Sequence, residues 1–297
     1  MGVGCISAAV FLFSIVDVLA KWLAADYPVN QIIFFRMLFG LVPAIILLGP
    51  NGFNSGALYT ARPLTHLWRA ATGIGAMGLF FFALPLMPLA DAVAISFAKP
   101  FFLAFLAVPL LGETFDRYRI AATALGFIGV LVIVQPAGGY NGWEGPALAL
   151  GSAIGFALSM ITIRKLSTTE STPQIVVYYT ALATLVSGLS LFSAWTTPSL
   201  SALGLFVLLG LVGGTGQLLM TAAFRRAPAS VIGPFNYSAI LWAAIFGFLI
   251  WGEQLRSATA IGAVLIIGSG LWLLRREANR AVSTLPRSLR SASGRRT

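Results

Sequence analysis

The chain has 297 residues, of which 58% are hydrophobic and only 9% charged, and its mean hydropathy is +0.89. In a soluble domain roughly a quarter of the residues are charged. This composition therefore excludes an ordinary water-soluble protein and predicts an integral membrane protein. The net charge of +10 comes partly from a Ser- and Arg-rich tail after Leu274. Such a tail is typical of disordered segments that lie against anionic headgroups, and no folded nucleic-acid-binding domain accompanies it.

Apolar runs broken by charges, prolines and glycines predict ten membrane spans of about twenty residues each. In chain order they cover residues 3–24, 30–49, 67–87, 91–111, 117–135, 146–165, 173–194, 203–223, 229–250 and 257–274. The first run is longer than a typical signal-peptide core and is predicted to be a retained helix. The predicted fold class is therefore an all-α membrane protein with ten transmembrane helices.

Basic residues divide unevenly between the two sides that these spans define. With the N-terminus in the cytoplasm, the inner side carries Arg62, Arg69, Arg117, Arg119, Arg164, Lys165, Arg225, Arg226 and the seven basic residues of the tail, whereas the outer ends carry only Lys21 and Arg256. Cytoplasmic loops of membrane proteins have an excess of Lys and Arg. We therefore expect both termini to lie in the cytoplasm.

The second half of the sequence repeats the first. Residues 83–134 and 223–274 align without a gap at an offset of 140, and a second match at an offset of 143 pairs Gln31 with Gln174. Each half holds five spans, an odd number, so the second copy is predicted to be inserted upside down. Inverted repeats are an architecture of secondary transporters. The alternative is a duplication that only enlarged a helical bundle.

The repeat divides the chain into three predicted regions. They are a first five-helix repeat over 1–138, a second, inverted repeat over 144–275, and a basic cytoplasmic tail over 276–297 that is predicted to be disordered.

Three ionisable residues fall inside the predicted spans at one depth. Asp17, Arg36 and Lys99 are six to eight residues from the proposed outer ends, which is about 10 Å at roughly 1.5 Å per residue. Ionisable groups at membrane depth are costly and usually face a cavity or a partner. We expect Asp17 to meet Arg36 or Lys99 across the bundle. This layer then orients a polar substrate, or Asp17 takes up a coupling proton; the alternative is an ion pair that only fixes the helix register.

Two further charges lie nearer the span ends. Lys21 is one turn from Asp17 and could pair with it locally, but we expect it to reach toward the membrane surface beside Trp22. Asp91 stands at the entrance of the fourth span.

The second half offers neutral polar groups at the matching positions. The offset of 140 places Asn236 at the position of Ser96, and the offset of 143 places Tyr179 at that of Arg36. Interhelical hydrogen bonding without a binding role is the alternative reading. The predicted substrate-binding or coupling residues are Asp17, Arg36, Ser96, Lys99, Asn236, Tyr237, Gln217 and Trp242, although Trp242 also suits a packing role.

Glycine and proline motifs favour structural roles. The pairs Gly151/Gly155 and Gly210/Gly214 are typical of closely packed membrane helices, and Pro100 is predicted to interrupt the fourth span. The segment 73–78 satisfies GxGxxG but lies inside an apolar span with no preceding strand, so it does not indicate a dinucleotide site.

Several other classes of protein are excluded or disfavoured. No GK[ST] motif for ATP hydrolysis occurs, and one Cys and one His exclude an intramolecular disulfide and a structural zinc site. No nucleophile with a base and no repeated polar filter can be assembled. The sequence predicts neither an enzyme nor a channel, with no catalytic residues, no metal and no cofactor.

Four segments carry a resemblance to a known family. The FSIVDVLAKWL opening, the QIIFFRMLFG start of the second span, and the duplicated segments ending in LLGE and IWGE resemble the EamA family of the drug/metabolite transporter superfamily. The connections ALPLMPLADAVAISFAKP and AFRRAPASVIGPFNYSAI are also similar to this family, and the resemblance covers nearly the whole chain.

The resemblance implies ten helices, cytoplasmic termini, the bacterial inner membrane and transport of small organic molecules. The opening looks most like the branch that includes riboflavin transporters, so riboflavin uptake is the predicted function. Export of amino acids or related metabolites is the alternative, and a non-transporting membrane enzyme or structural subunit is the alternative of another class. The expected partners are a small-molecule substrate and the lipid bilayer, with no nucleic acid, and the expected state is a monomer or homodimer.

Overall fold

A computed structural model describes residues 2–48, 59–111, 117–134, 142–166, 168–170, 172–226 and 235–283. Regular secondary structure within these ranges is entirely helical. The helices are α1 Gly2–Leu23, α2 Val29–Leu48, α3 Pro63–Ala83, α4 Leu89–Ser96, α5 Lys99–Leu111, α6 Arg117–Val134, α7 Glu144–Leu166, α8 Thr172–Ser190, α9 Leu200–Arg226, α10 Ser238–Trp251 and α11 Ser257–Ser283. A 3-10 turn, Leu84–Leu86, follows α3.

The helix bounds follow the predicted spans closely. Helix length alone does not establish that there are ten membrane spans. Five described helices are long and apolar enough to cross a bilayer, and these are α1, α2, α3, α7 and α9. Shorter apolar stretches occupy α6, α8, α10 and α11. The start of the predicted ninth span, 229–234, lies outside the described residues, as does 284–297 of the tail. Helix α11 continues through Ser283, into the first part of the predicted tail.

The predicted fourth span is two helices rather than one. Helix α4 ends at Ser96 and α5 begins at Lys99, with a turn at Phe97 and Ala98 between them. Pro100 is the second residue of α5, a position where proline is tolerated because its missing N–H has no helical acceptor in any case. The proline that the sequence marked as a helix interruption therefore starts the second segment.

The pattern of helix packing is symmetric between the two halves. Helix α3 packs on α7 as α9 packs on α1, and α2 packs on α9 as α8 packs on α3. Helices at equivalent places in the two halves also pack on each other, in the pairs α2/α8, α6/α11 and α4/α10. The fold is thus the two-repeat architecture that the sequence duplication predicted, with the repeats interleaved rather than side by side.

Two equivalent glutamines show how the halves are related. Gln31, near the start of α2, donates to the Thr196 carbonyl at 2.8 Å and accepts from its N–H at 3.0 Å, in the segment after α8. Gln174, near the start of α8, donates to the Tyr59 carbonyl at 2.6 Å, in the segment after α2. Each glutamine therefore links the start of its own helix to the segment that follows the equivalent helix of the other repeat. Helices α2 and α8 run antiparallel, so the matched residues lie at opposite ends of the bundle.

Close helix packing depends on the glycines that the sequence marked. A Cβ on Gly155 of α7 would lie 2.9 Å from the Ala76 Cβ of α3, and one on Gly214 of α9 would lie 2.8 Å from the Gly40 carbonyl of α2. These glycines let helix backbones approach each other directly. The GxGxxG segment lies wholly inside α3, which agrees with its exclusion as a dinucleotide site.

We expect Gly155→Leu to lower the thermal stability of the detergent-solubilised protein by several degrees, because overpacking costs about 1–3 kcal/mol. Gly204→Leu is the matched control, since no atom lies within 4 Å of a Cβ built at Gly204. Melting curves, monitored by size-exclusion chromatography after heating, measure the difference in thermal stability between the two variants. Equal losses in the two variants would contradict the close packing of α3 and α7.

Candidate functional site

The three charged residues of the predicted layer come together in the middle of the bundle. Asp17 lies on α1, Arg36 on α2 and Lys99 at the start of α5. The charges of Arg36 and Lys99 both act on the Asp17 carboxylate. All three side chains are only half-buried. Because they face one another from three different helices, their remaining accessible surface lies inside the bundle, where a ligand would meet two cations and one carboxylate.

These central charges are not joined in a salt bridge. Ion pairs among the described residues include Lys21–Glu253 and Arg256–Asp91, and the imidazole of His66 lies beside the Glu170 carboxylate. The central cations instead lie over aromatic rings: the Lys99 Nζ is 4.9 Å from the Phe156 ring centre, and the Arg36 Cζ is 5.7 Å from that of Phe81. Arg36 also donates to the Met77 sulfur. The charged groups are therefore held in place while remaining open to a further partner.

The central residues lie beside a helix break that occurs in both halves. Phe97 forms the turn after α4, and Tyr237 forms the turn before α10. The two positions are equivalent at the repeat offset of 140, and their rings touch with centroids 5.0 Å apart. Equivalent residues can contact each other only close to the axis that relates the halves. The breaks in the two repeats therefore meet at the centre of the molecule, two residues from Lys99.

Arg69 is also part of the interior, which corrects its assignment to a cytoplasmic connection. It lies on α3, and its guanidinium Cζ is 3.9 Å from the ring centre of Tyr179. Tyr179, the repeat equivalent of Arg36, in turn interacts with the charge of Arg36. Gly73 makes room for this arrangement, since a Cβ there would lie 2.7 Å from Tyr179 and 3.3 Å from the Ser159 hydroxyl. Around Asp17 and Tyr179 the described part of the bundle thus brings together the cationic side chains of Arg36, Lys99 and Arg69.

The remaining predicted site residues do not all lie beside the three central charged residues. Ser96 is buried and donates to the Val93 carbonyl of its own helix at 2.7 Å. Trp242 packs edge-on against Phe11, with centroids 4.8 Å apart, in an aromatic cluster between α1 and α10. Packing is therefore the role that the structure shows for Trp242.

Asn236 and Gln217 lie nearer the central residues. Asn236 is half-buried and directly precedes Tyr237. Gln217 has an exposed side chain one turn after Gly213, whose Cβ position is 3.4 Å from the Arg36 Nε. Residues four apart share a helix face, so Gln217 lies on the side of α9 that faces Arg36.

One end of the bundle is closed by an ion pair between the two repeats. Lys21 pairs with Glu253 and donates to the Met87 carbonyl at 2.9 Å. Glu253 also accepts the Leu89 N–H at 2.8 Å. Gly252 ends α10 with a left-handed φ of 68°, a conformation that glycine adopts without strain, and this turns Glu253 back toward the bundle. We call this end of the molecule the Glu253 end.

The position of Lys21 overturns the expectation that it reaches the membrane surface. Its side chain is 8% exposed, and its ammonium lies 5.0 Å from the ring centre of Trp251. The sequence of α1 does not show that Glu253, on the other repeat, lies close to Lys21. The long apolar stem of the lysine therefore led to the wrong expectation that its ammonium reaches the membrane surface.

A second cross-repeat contact lies at the same end. Asp91, 1% exposed at the start of α4, accepts from Arg256 at 3.2 Å and also from the Thr259 hydroxyl. The two basic residues counted at outer ends, Lys21 and Arg256, are therefore both engaged with acids of the other half.

Glu253→Gln is expected to destabilise the protein by on the order of 3 kcal/mol, because it leaves the buried Lys21 ammonium without a counter-charge. Glu144→Gln, which removes a carboxylate from the exposed start of α7, is the control and should change little. Melting temperatures in detergent measure both. A Glu253→Gln protein as stable as the control would show that this contact does not hold the Glu253 end together.

The opposite end is also held by contacts between the repeats. Glu170, in the connection between α7 and α8, accepts from the Thr60 hydroxyl at 2.5 Å and lies 3.5 Å from the His66 Nε2 of α3. Arg62 donates to the Lys165 carbonyl at 3.0 Å. We call this the Glu170 end. Sequence reasoning missed the pair because His66 was considered only as a metal ligand, and nothing in the local sequence links it to a residue so distant in the chain.

Comparison with known proteins identifies the family. Residues 1–135 and 143–275 each match the EamA-like transporter family. The chain belongs to the EamA-like transporter family. The two matched segments correspond to the two repeats. A solved crystal structure shares the fold with a TM-score of 0.61 at 20% identity, over 91% of this chain and 98% of the other.

Characterised relatives of this EamA chain differ in what their names say they carry. It is 32% identical to a pseudopaline exporter of Pseudomonas aeruginosa, over 90% of this chain and 93% of that protein. It is 31% identical to an S-adenosylmethionine uptake transporter of Rickettsia prowazekii, over 89% of each chain. A riboflavin transporter of Rhizobium johnstonii is 29% identical over 90% of this chain and 89% of that protein. The chain is therefore a small-molecule transporter and a multi-pass protein of the bacterial inner membrane.

Proposed function

We propose that this protein is a secondary carrier that moves a small organic metabolite by alternating access of two inverted five-helix repeats. In this mechanism the repeats rock against each other and expose a central site to one side of the membrane and then to the other. The site comprises Asp17, Arg36 and Lys99, together with Tyr237 and the polar residues beside it. Asn236, Gln217 and Ser96 contribute hydrogen-bonding groups or shape, and Trp242 supports the wall of α10.

The contact between Phe97 and Tyr237 is the observation that carries this proposal. A static bundle gains nothing from interrupting a membrane helix at the same place in both repeats, because each interruption frees backbone groups that lipid cannot satisfy. A carrier gains a polar site at the axis between its moving parts. Cross-repeat contacts at the Glu253 and Glu170 ends are then the closures that have to open in turn.

The proposed orientation places the Glu170 end and both termini in the cytoplasm, with ten spans in all. The excess of basic residues on that side supports it. Helices α4 and α5 together form the fourth span, and α10 belongs to the ninth.

Riboflavin remains the first substrate to test, since the opening segment resembles the riboflavin branch and a riboflavin transporter is among the relatives. A second candidate is favoured by the charges of the site. Riboflavin is uncharged at neutral pH, whereas the described cations Arg36, Lys99 and Arg69 outnumber the carboxylate of Asp17 that lies among them. An amino-acid-like metabolite presents carboxylate to cations and ammonium to Asp17, and charge-assisted bonds of this kind are strong.

Labelled riboflavin uptake should be saturable in a flavin-auxotrophic bacterium that expresses this chain and should exceed the empty-vector background. Growth rescue of the auxotroph would establish substrate and direction together. Absence of uptake, with the protein shown to be in the membrane, would reject riboflavin. Counterflow of labelled amino acids and their N-alkylated derivatives in liposomes then becomes the measurement for the second candidate.

For whichever substrate is transported, Lys99→Ala and Asp17→Asn are each expected to reduce the initial rate by about tenfold or more, since a lost charge-assisted contact costs roughly 1.5–3 kcal/mol. Lys165→Ala removes an exposed lysine at the Glu170 end and is the matched control. Rates are to be normalised to folded protein in the membrane. Normal rates in both site variants would show that the charged layer is structural.

A further inference from the structure

His66 and Glu170 form a buried titratable pair that the proposed transport site does not use. Their side chains are 1% and 3% exposed, and the His66 Nε2 lies 3.5 Å from a Glu170 carboxylate oxygen. The two residues come from different repeats, since His66 lies on α3 and Glu170 precedes α8. Together with the Thr60 hydroxyl bond to Glu170, they join the repeats at the Glu170 end.

The pair has unused hydrogen-bonding capacity on both sides. Among the described residues, neither ring nitrogen of His66 has a hydrogen-bond partner, and neither does Oε2 of Glu170. A neutral imidazole carries one proton and a protonated imidazole carries two. Burial of a lone carboxylate is costly, whereas a carboxylate beside an imidazolium is compensated. An imidazolium beside the Glu170 carboxylate would therefore balance the buried charge of the pair.

Among the described residues, the side-chain polar contacts of the pair are with Thr60 and with each other. The Tyr178 ring of α8 stacks on the imidazole, with centroids 4.5 Å apart. The described charged and titratable groups on the adjoining elements include Tyr59 and Arg62 before α3, Arg69 on α3, Lys165 on α7, and Tyr178 on α8. Of the cations, Arg62 and Lys165 are exposed to solvent, and Arg69 is engaged with Tyr179.

We propose that His66 and Glu170 form the coupling-proton site of this carrier. A proton from water at the Glu170 end binds to the imidazole, and the resulting imidazolium–carboxylate pair holds the two repeats together and closes that end. Loss of the proton leaves the carboxylate uncompensated, so the pair separates and the end opens. This inference rests on the proposed alternating-access function and adds the ion that drives it.

The direction of the pH effect follows from linkage. A proton that binds more tightly in the closed state than in the open state stabilises closure at low pH, and this stabilisation is lost as the pH rises. An imidazole ordinarily changes its charge between pH 5 and 8. Proton uptake at this end would thereby be tied to the step that turns the central site toward the other side.

The test uses thiol labelling and needs no substrate. Cys5 is the only cysteine, so Cys5→Ser gives a cysteine-free background for Ser159→Cys, a buried position beside Arg69 and Gly73 just inside the Glu170 end. Labelling by a bulky water-soluble maleimide is measured in nanodiscs at pH 6 and pH 8. Thr168→Cys, at an exposed position in the connection before α8, corrects for the reactivity of the thiol itself.

The corrected labelling rate at Ser159→Cys is expected to rise about fivefold from pH 6 to pH 8. With His66→Gln or Glu170→Gln it should be high and independent of pH, because neither variant can form the charged pair. Asp17→Asn should keep the pH dependence. A pH-independent rate in the parent protein, or a dependence removed by Asp17→Asn but not by His66→Gln, would overturn the proposal.

Because His66 is the only histidine, ring-labelled histidine gives the NMR signals of a single imidazole, which provides a check without any change at the pair. The midpoint of the imidazole titration should coincide with that of the labelling curve. Separate midpoints would also overturn the proposal. Neither measurement depends on transport, so failure of the coupling site is distinguishable from failure of the proposed function.

Discussion

The cost of placing charge in an apolar bundle governs how this protein is arranged. A charged side chain at membrane depth must find a partner or a polar space within the protein. Lys21, Asp91 and Glu253 meet this requirement at one end by pairing across the repeats. Asp17, Arg36 and Lys99 meet it differently, because they attract one another without closing a salt bridge and retain accessible surface. The charges at the Glu253 end are compensated and those in the middle are not, which is why we propose the middle as the site for a polar substrate.

The polar residues lie in three places, at the Glu253 end, at the centre and at the Glu170 end, and the internal symmetry of the two repeats explains this arrangement. Symmetric helix packing brings equivalent positions into contact, as with Phe97 and Tyr237 at the centre. Equivalent glutamines, Gln31 and Gln174, perform the same tie at opposite ends of antiparallel helices. The symmetry is broken at one such position, because Arg36 faces its own equivalent, Tyr179, so charge lies on one repeat and a neutral hydroxyl on the other.

Much of this arrangement follows from sequence because it depends on spacing along single helices. Hydropathy and the repeat offsets predicted the helices, the duplication and the shared depth of Asp17, Arg36 and Lys99. Prediction failed where the decisive partner lies on the other repeat. Lys21 was expected at the surface because Glu253 is far away in the chain. The stacking of Arg69 on Tyr179 was missed because it depends on the fold and not on the local sequence.

The pair of His66 and Glu170 illustrates the same limit more sharply. Neither residue belongs to a motif, and each is ordinary in its local sequence. Only the packing of α3 against the α7–α8 connection buries them together. Long-range contacts of this kind hold both ends of the bundle, so the features that would govern opening are those that a single sequence reveals least.

The most direct test of the account is the two-sided accessibility of a single cysteine at Phe97, the residue at the centre of the repeat axis. In a Cys5→Ser background, Phe97→Cys is labelled with a membrane-impermeant thiol reagent applied to either face of sealed vesicles. Alternating access predicts labelling from both faces. Labelling from one face should stop when a cross-link holds the opposite end of the bundle open. Labelling from one face only, or from neither, would contradict the central claim that the Glu253 and Glu170 ends open in turn onto one site.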